Sequence, residues 1–291
     1  RTLAWILCAF TVGSCDKRPT QGRSRRGPLA LGAGINRATR SVDVTDVSFD
    51  AGPVRSHPSR MNVVILAAGY ATRLYPLTLN RAKPLLEVAG KPMMEWVIDN
   101  LAPIPEIQSV YVVTNHRFAG DFRRWAEGYR AGQPRLRFEV IDDGSTGDAD
   151  KLGAIGDLDL VIRKAGLGSS DLIVVAGDNL FSESLAGFGV ACSAAKSALL
   201  GVYDVGDRDA ARKYGVVELN EDGSIKGFEE KPAEPRSSKI GIALYFYPKE
   251  VVGMIAQYLG EGNNPDQPGR FVQWLYPRVP VQTWEVPGRW F

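Results

Sequence analysis

Histidine is almost missing from this chain, and cysteine is nearly as scarce. The 291 residues hold two histidines, His57 and His116, and three cysteines, Cys8, Cys15 and Cys192. No Cys-x-x-Cys pair occurs, which argues against zinc and disulfide frameworks and makes a reducing, cytoplasmic setting the expected one. No Gly-x-Ser-x-Gly elbow is present, and His116 follows a strand-like run, which argues against a Ser-His-Asp hydrolase, and neither histidine is expected to be catalytic. A Gly-x-x-x-x-Gly-Lys-Ser/Thr loop is also absent. Gly69-Tyr70-Ala71-Thr72-Arg73-Leu74 is not Gly-x-Gly-x-x-Gly, which removes a nicotinamide dehydrogenase. Past residue 60 no segment is long and apolar enough to span a membrane, so no membrane partner is expected.

Charge of one sign is not in excess overall, but it is unevenly spread. The formal net charge is +2. Residues 1–60 contain ten Lys or Arg against four Asp, so the remainder is net acidic. The basic pI therefore gives no argument for nucleic acid binding.

What is present begins with Val63-Val64-Ile65-Leu66, a continuous β-rich run of the kind buried on both faces of a parallel sheet. It leads into Ala67-Ala68-Gly69, small residues that let the backbone approach a ligand and offer amide N–H groups to phosphate oxygens. Arg73 and Lys83 then supply charge that a loop of amides lacks. Leu172-Ile173-Val174-Val175 is a second such run, ending in Gly177-Asp178. If the two strands are parallel, Gly69 and Asp178 share the carboxyl edge, where open α/β sheets bind ligands. Read alone, Asp178-Asn179 favours a turn or a helix cap.

Apolar spacing predicts alternating strands and helices. A helix opens at Lys91-Pro92 with Met94, Val97, Ile98 and Leu101 on one face, and Pro103 and Pro105 end it. Val110–Val113 is a strand, and Phe118, Phe122, Trp125 and Tyr129 line the core face of the next helix. Leu136–Ile141 is a third strand, and a helix beginning near Lys151 buries Ile155, Leu158, Ile162 and Ala165. Strands of antiparallel character follow at Leu199–Val205, Gly215–Leu219, Ile225–Glu229 and Ile240–Tyr247, with a hairpin turn at Glu221-Asp222-Gly223-Ser224. Gly262–Asp266 reads as a loop, Phe271–Arg278 as a helix and Val281–Val286 as a last strand.

The segment Val63–Leu74, followed by Lys83-Pro84-Leu85-Leu86 and Gly90-Lys91-Pro92, resembles the signature of the sugar nucleotidyltransferases. That signature reads roughly Leu-Ala-Ala-Gly-x-Gly-Thr-Arg-Leu, then Pro-Lys-Pro-Leu-Leu. Ala71 stands where a glycine is usual and Ala82 where a proline precedes the lysine; both are read as conservative departures. The resemblance runs from about Met61 to the end and is of the glucose-1-phosphate thymidylyltransferase type. It implies an α/β, Rossmann-like, doubly wound and mostly parallel sheet with helices on both faces, and a smaller mixed sheet for a sugar phosphate.

The activity so implied is transfer of a nucleotidyl group from a nucleoside triphosphate to a sugar 1-phosphate, releasing pyrophosphate. The attacking oxygen is anionic near neutral pH and needs no general base, which fits the scarcity of histidine. The resemblance gives Arg73 and Lys83 the catalytic charge on the triphosphate. It gives Leu66, Ala68, Gly69 and Gly153 to the nucleotide, Gly215, Glu230 and Lys231 to the sugar phosphate, and Asp178 to Mg²⁺. Glucose 1-phosphate with a thymine or uracil nucleotide is the first expectation. Mannose 1-phosphate with a guanine nucleotide, phosphocholine, or a non-catalytic module of the same fold are the alternatives. Leu152-Gly153-Ala154-Ile155 departs from the best-known bacterial relatives, which leaves the base open; a homo-oligomer is compatible with the resemblance.

Both ends bear on these expectations. Residues 1–60 begin with an apolar stretch, Leu3–Val12, and turn to Gly, Ser, Pro and Arg-rich sequence that reads as disorder. An export signal is one reading, since Val12-Gly13-Ser14-Cys15 loosely resembles a lipoprotein cleavage box. A non-native extension ahead of Met61, near where the family begins, is the preferred one, leaving 61–291 as the domain. In relatives a string like Gly288-Arg289-Trp290-Phe291 is followed by an aspartate that supplies a second metal carboxylate. The sequence stops at Phe291, so the domain is expected to be incomplete and turnover low.

Overall fold

The run at Val63–Leu66 becomes the middle of a large sheet because nothing in it tolerates water. The structure is a computed structural model that describes residues 60–130, 132 and 134–291. The expectations for the N-terminal extension, and those for His57, Cys8 and Cys15, lie outside these residues.

In chain order, β1 (Met61–Leu66) leads to a two-residue ribbon of β2 (Glu87–Val88) and β3 (Lys91–Pro92), then α1 (Met93–Leu101). β4 (Ile107–Thr114), α2 (Ala119–Arg130), β5 (Arg137–Asp142), α3 (Ala154–Lys164) and β6 (Asp171–Ala176) follow. Next come α4 (Ala186–Ala194), β7 (Ala198–Asp204), the single turn α5 (Arg208–Ala211), β8 (Gly215–Leu219) and β9 (Ile225–Glu230). β10 (Lys239–Tyr247), α6 (Lys249–Gly260), α7 (Pro268–Leu275) and β11 (Val281–Glu285) complete the described elements.

The main sheet has the order β11-β7-β10-β6-β1-β4-β5. β1 pairs in parallel with β4 and β6, and β4 with β5. Leu66 is opposite Ala176, so β1 and β6 end at the same level. β10 is antiparallel and sits between β6 and β7. The smaller part of the sheet is the antiparallel hairpin β8–β9, a branch that joins the first half of β10 through Ile240–Val216 and Gly241–Gly215.

Side-chain alternation along β1 divides two cores. Val63 and Ile65 face one, with Met94, Val97 and Ile98 of α1, Phe122 of α2 and Phe188 of α4. Val64 faces the other, with Ile155, Leu158 and Val161 of α3, Val252 and Ile255 of α6, and Phe271 and Leu275 of α7. Helices therefore cover both faces, as a buried parallel sheet requires. The aromatic face of α2 is core as expected: Phe118 and Phe122 are buried, and Trp125 stacks on Tyr129 with both rings edge-on to Phe138.

Several boundaries differ from expectation, and α3 starts at Ala154 rather than near Lys151. Lys91–Pro92 folds back on Glu87–Val88, so α1 starts at Met93. The last helix starts at Pro268, whose missing N–H and fixed φ suit a first helical turn, and ends at Leu275. α4 and α6 were not anticipated. Among the described residues no helix is long and apolar enough to cross a membrane.

Candidate active site

Two chain reversals at the carboxyl ends of neighbouring parallel strands build the site. After β1 the chain is held by two bonds: Ala67 N–H donates to Val113 O at 2.9 Å, and the Asn115 side-chain amide donates to Ala68 O at 2.9 Å. Asn115 is fully buried, and its side-chain oxygen accepts from Phe118 N–H, capping the turn. Ala68 is buried, Gly69 is exposed, and a Cβ added at Gly69 would meet nothing within 4 Å. The side of Gly69 that a side chain would fill is therefore open.

After β6, Gly177 N–H donates to Leu66 O at 3.0 Å, which locks the two strand ends together. A Cβ at Gly177 would lie 3.1 Å from Ile65 and 3.2 Å from Pro84. Glycine at 177 thus lets the short turn Lys83–Leu85 pack over the end of β6. Its consequence is the central contact of the site: Lys83 Nζ lies 2.6 Å from Asp178 Oδ2. Both side chains keep about a third of their surface, 34% and 36%, so the pair faces solvent at the sheet edge. Asn179, next in the chain, is buried, donates to Ala243 O of β10 at 2.9 Å and accepts from Trp290 Nε1 at 3.2 Å. Those two bonds turn Asn179 inward and leave Asp178 outward.

Arg73 lies on the exposed turn Thr72–Leu74, and no hydrogen bond or ion pair joins it to Lys83 or Asp178. The residue before that turn carries strain. Ala71 has φ 48° and ψ 40°, the left-handed region, with its carbonyl held by buried Thr78 at 2.9 Å. Reading Ala71 as a conservative departure is corrected by this geometry, since an L side chain there costs about 1–2 kcal/mol. Ala71→Gly is expected to raise stability by about 1 kcal/mol once glycine's greater unfolded-state freedom is offset. A urea midpoint for the variant at or below wild type would contradict the conformation. Ala82 has φ −62°, within the range a proline fixes, so that departure carries no conformational cost.

Gly153 has φ 79° and ψ 160°, and a Cβ on it would sit 2.7 Å from Pro265 O and 2.8 Å from Asp266 Cα. Its glycine requirement is met by close backbone packing, whatever ligand it also touches. The first amides of α3 are likewise taken: Ile155 N–H donates to Pro265 O at 2.8 Å and Ala154 N–H to Asp266 O at 3.5 Å.

The hairpin residues form a second group. Glu230 keeps only 10% of its side chain exposed, lying between Gly269, where a Cβ would collide with its Oε2, and Gly215, where a Cβ would collide with Phe228 and come within 3.0 Å of that oxygen. Gly269 is in the first turn of α7, where the helix dipole favours a carboxylate. Lys231 has φ 53°, its N–H bonded to Tyr214 O at 3.0 Å, and its Nζ 3.6 Å from Glu230 Oε1. Strain in a non-glycine residue is typical of ligand-facing positions. The two groups share one support: Ala243 of β10 receives Asn179, and Gly241, two residues earlier, pairs with Gly215. The last residues connect them further, since Phe291 and Leu180 exchange backbone bonds and Trp290 packs edge-on to Tyr214 at 5.5 Å.

His116 is exposed and bonded to Asp142 at 2.8 Å. Asn115, Gly177, Asn179 and Trp290 were missed by sequence reasoning; the proximity of Asn115 and Gly177 to strand ends was the available signal.

With this geometry in view, the family model described as nucleotidyl transferase matches residues 62–270, most of the chain. The chain belongs to the nucleotidyl transferase family. The glucose-1-phosphate thymidylyltransferase of Mycobacterium tuberculosis (strain CDC 1551 / Oshkosh) is 32% identical over 197 residues, covering 66% of this chain and 62% of the relative. The bifunctional protein GlmU of Methanocaldococcus jannaschii is 26% identical over 198 residues, covering 67% of this chain and 42% of the relative. The chain thus spans about half of the length of these curated nucleotidyl transferase relatives. A crystal structure from Bacillus anthracis, assigned as a glucose-1-phosphate thymidylyltransferase and containing sucrose, aligns with a TM-score of 0.67 at 25% identity over 79% of this chain and 88% of that one.

Proposed function

We propose that this chain transfers a nucleotidyl group from a nucleoside triphosphate to a sugar 1-phosphate, forming a nucleotide sugar and pyrophosphate. The observation that carries the reading is the Lys83–Asp178 pair at 2.6 Å, beside the open Gly69 turn at the common end of β1 and β6. One cation and one carboxylate at the mouth of a loop of amides suit a polyanion that arrives with a divalent metal.

Catalysis here is alignment and charge neutralisation, because the sugar phosphate oxygen is already a nucleophile. The Gly69 turn offers amides, and Lys83 and Arg73 bear on the triphosphate and the departing pyrophosphate. At about 4 Å and an effective dielectric near 20, each such charge is worth roughly 4 kcal/mol before desolvation. Lys231 holds the acceptor phosphate on the β8–β9 hairpin, with Gly215 and Glu230 shaping its surroundings.

Among the described residues no group of three or more His, Cys, Asp or Glu is arranged around a metal. Asp178 alone nevertheless fits Mg²⁺, an ion that keeps several waters and shares phosphate oxygens rather than needing a protein cage. Bound there, Mg²⁺ supplies positive charge to the phosphates. Asp178 would hold it there.

Identity to the thymidylyltransferase supports glucose 1-phosphate with dTTP or UTP as substrates. The test is pyrophosphate release with Mg²⁺ from dTTP, UTP, GTP and CTP, each with glucose 1-phosphate, mannose 1-phosphate or phosphocholine. Glucose 1-phosphate with dTTP or UTP should release pyrophosphate fastest, and Asp178→Asn should abolish the release. Release by no combination would leave a binding module without turnover.

A further inference from the structure

Asp157 is the least comfortable polar group among the described residues. It lies in the first turn of α3, keeps 5% of its surface, and its Oδ1 is buried with no hydrogen-bond partner. Two ionisable groups bear on it, and both are acidic. Asp143, from the segment after β5, faces it within reach of a side-chain hydrogen bond should either carboxyl hold a proton, and Asp266, from the segment before α7, acts through charge. Asp266 is answered by Lys151 at 3.3 Å; nothing comparable answers Asp157. Two carboxyl groups can share a hydrogen bond only if one of them carries the proton.

The pair is connected to the loop after β1. Asp143 accepts from Ser145 N–H at 2.7 Å and from its hydroxyl at 2.7 and 2.9 Å. Ser145 is buried and its Oγ lies 3.3 Å from the Tyr70 hydroxyl. Tyr70 is itself buried and directly follows Gly69.

We propose that Asp157 is a positioning residue that holds one proton against Asp143, and that the chain Asp157–Asp143–Ser145–Tyr70 fixes the loop that carries Gly69. The loop's role as a triphosphate cradle rests on the function proposed above; the shared proton does not. Burial first, and the charge of Asp143 second, push the Asp157 carboxyl up from 3.8 to about 8. The sign follows directly. The folded chain keeps a proton that the unfolded chain releases, so this stabilisation is complete below about pH 4 and is lost progressively as pH rises to about 8. Within the folded state, ionisation of Asp157 above about pH 8 breaks the carboxyl pair and loosens the loop.

The experiment compares wild type with Asp157→Asn, whose amide donates to Asp143 at every pH. Melting temperature is measured from pH 5 to pH 9, and inorganic tripolyphosphate, a base-free polyanion, is titrated calorimetrically over the same range. The variant should gain on wild type in melting temperature between pH 5 and pH 8, and should keep its tripolyphosphate affinity above pH 8 where wild type weakens. Ligand charge is the same for both proteins at each pH, so their difference isolates Asp157. Tyr70→Phe, which removes the last link and keeps the ring, should weaken tripolyphosphate about fivefold while its melting temperature retains the wild-type pH slope. A melting difference between wild type and Asp157→Asn that does not change with pH overturns the shared proton. Unaltered affinity in Tyr70→Phe overturns the connection to the loop. Tripolyphosphate that binds no variant at any pH overturns the reading of the loop as a phosphate site, while the melting comparison still decides the carboxyl pair.

Discussion

Replacing Lys83 by alanine is expected to lower kcat/KM about a hundredfold or more while leaving the melting temperature nearly unchanged. The two halves of that expectation come from different physics. Lys83 and Asp178 each keep about a third of their surface, and a pair so wetted contributes at most about 1 kcal/mol to stability. Against a transition state that accumulates negative charge on phosphate oxygens, a preorganised ammonium is worth about 3 kcal/mol, which is roughly two powers of ten in rate. Steady-state pyrophosphate release and a thermal melt of the same preparation measure both. Wild-type kcat/KM in the variant would remove Lys83 from the chemistry; a large fall in melting temperature would mean that the pair supports the fold instead.

The second large effect is expected at Gly153, and it is a stability effect. Gly153→Ala places a side chain in a backbone region that is essentially glycine-only, at a cost of about 1–3 kcal/mol. The same Cβ also enters the space of Pro265 and Asp266, where the nearest atoms belong to the backbone and cannot swing aside. Separating those segments weakens the bonds from Ile155 and Ala154 that finish the start of α3. Together these make a loss of about 4 kcal/mol, in the range of severe single substitutions, and a melting temperature lower by about 10 °C. A variant that melts within 2 degrees of wild type would show that residues 153 and 265–266 do not approach this closely.

Much of this arrangement was legible in the chain, and the unreadable parts have physical reasons. Strands β1 and β6 were visible because both faces of each are buried, which writes an unbroken apolar run. At their parallel ends Lys83, from the turn Lys83–Leu85, lies 2.6 Å from Asp178. What the run cannot encode is its neighbour: β10 is antiparallel as its sequence character suggests, but its place between β6 and β7 is not written in the local pattern. α4 escaped notice because Ala, Gly and Cys give its two faces little contrast. α6 does carry a readable face, Val251, Val252, Ile255 and Tyr258. Gly153 was assigned to the ligand on resemblance, whereas the segment that demands a glycine there is remote in sequence and invisible to local pattern. Asp157 reads as an ordinary polar residue near a helix start; only its tertiary surroundings make it unusual.

The place of β10 has a consequence for synthesis. β6 and β7 are consecutive strands in the chain, yet the slot between them is filled only by Lys239–Tyr247. Until that segment has left the ribosome, the growing polypeptide presents Leu172–Val175 of β6 and Leu199–Asp204 of β7 with unsatisfied ladder groups on the sides that β10 later pairs. Nascent molecules therefore pass through a sticky interval that ends late, and chaperone capture should be strongest there.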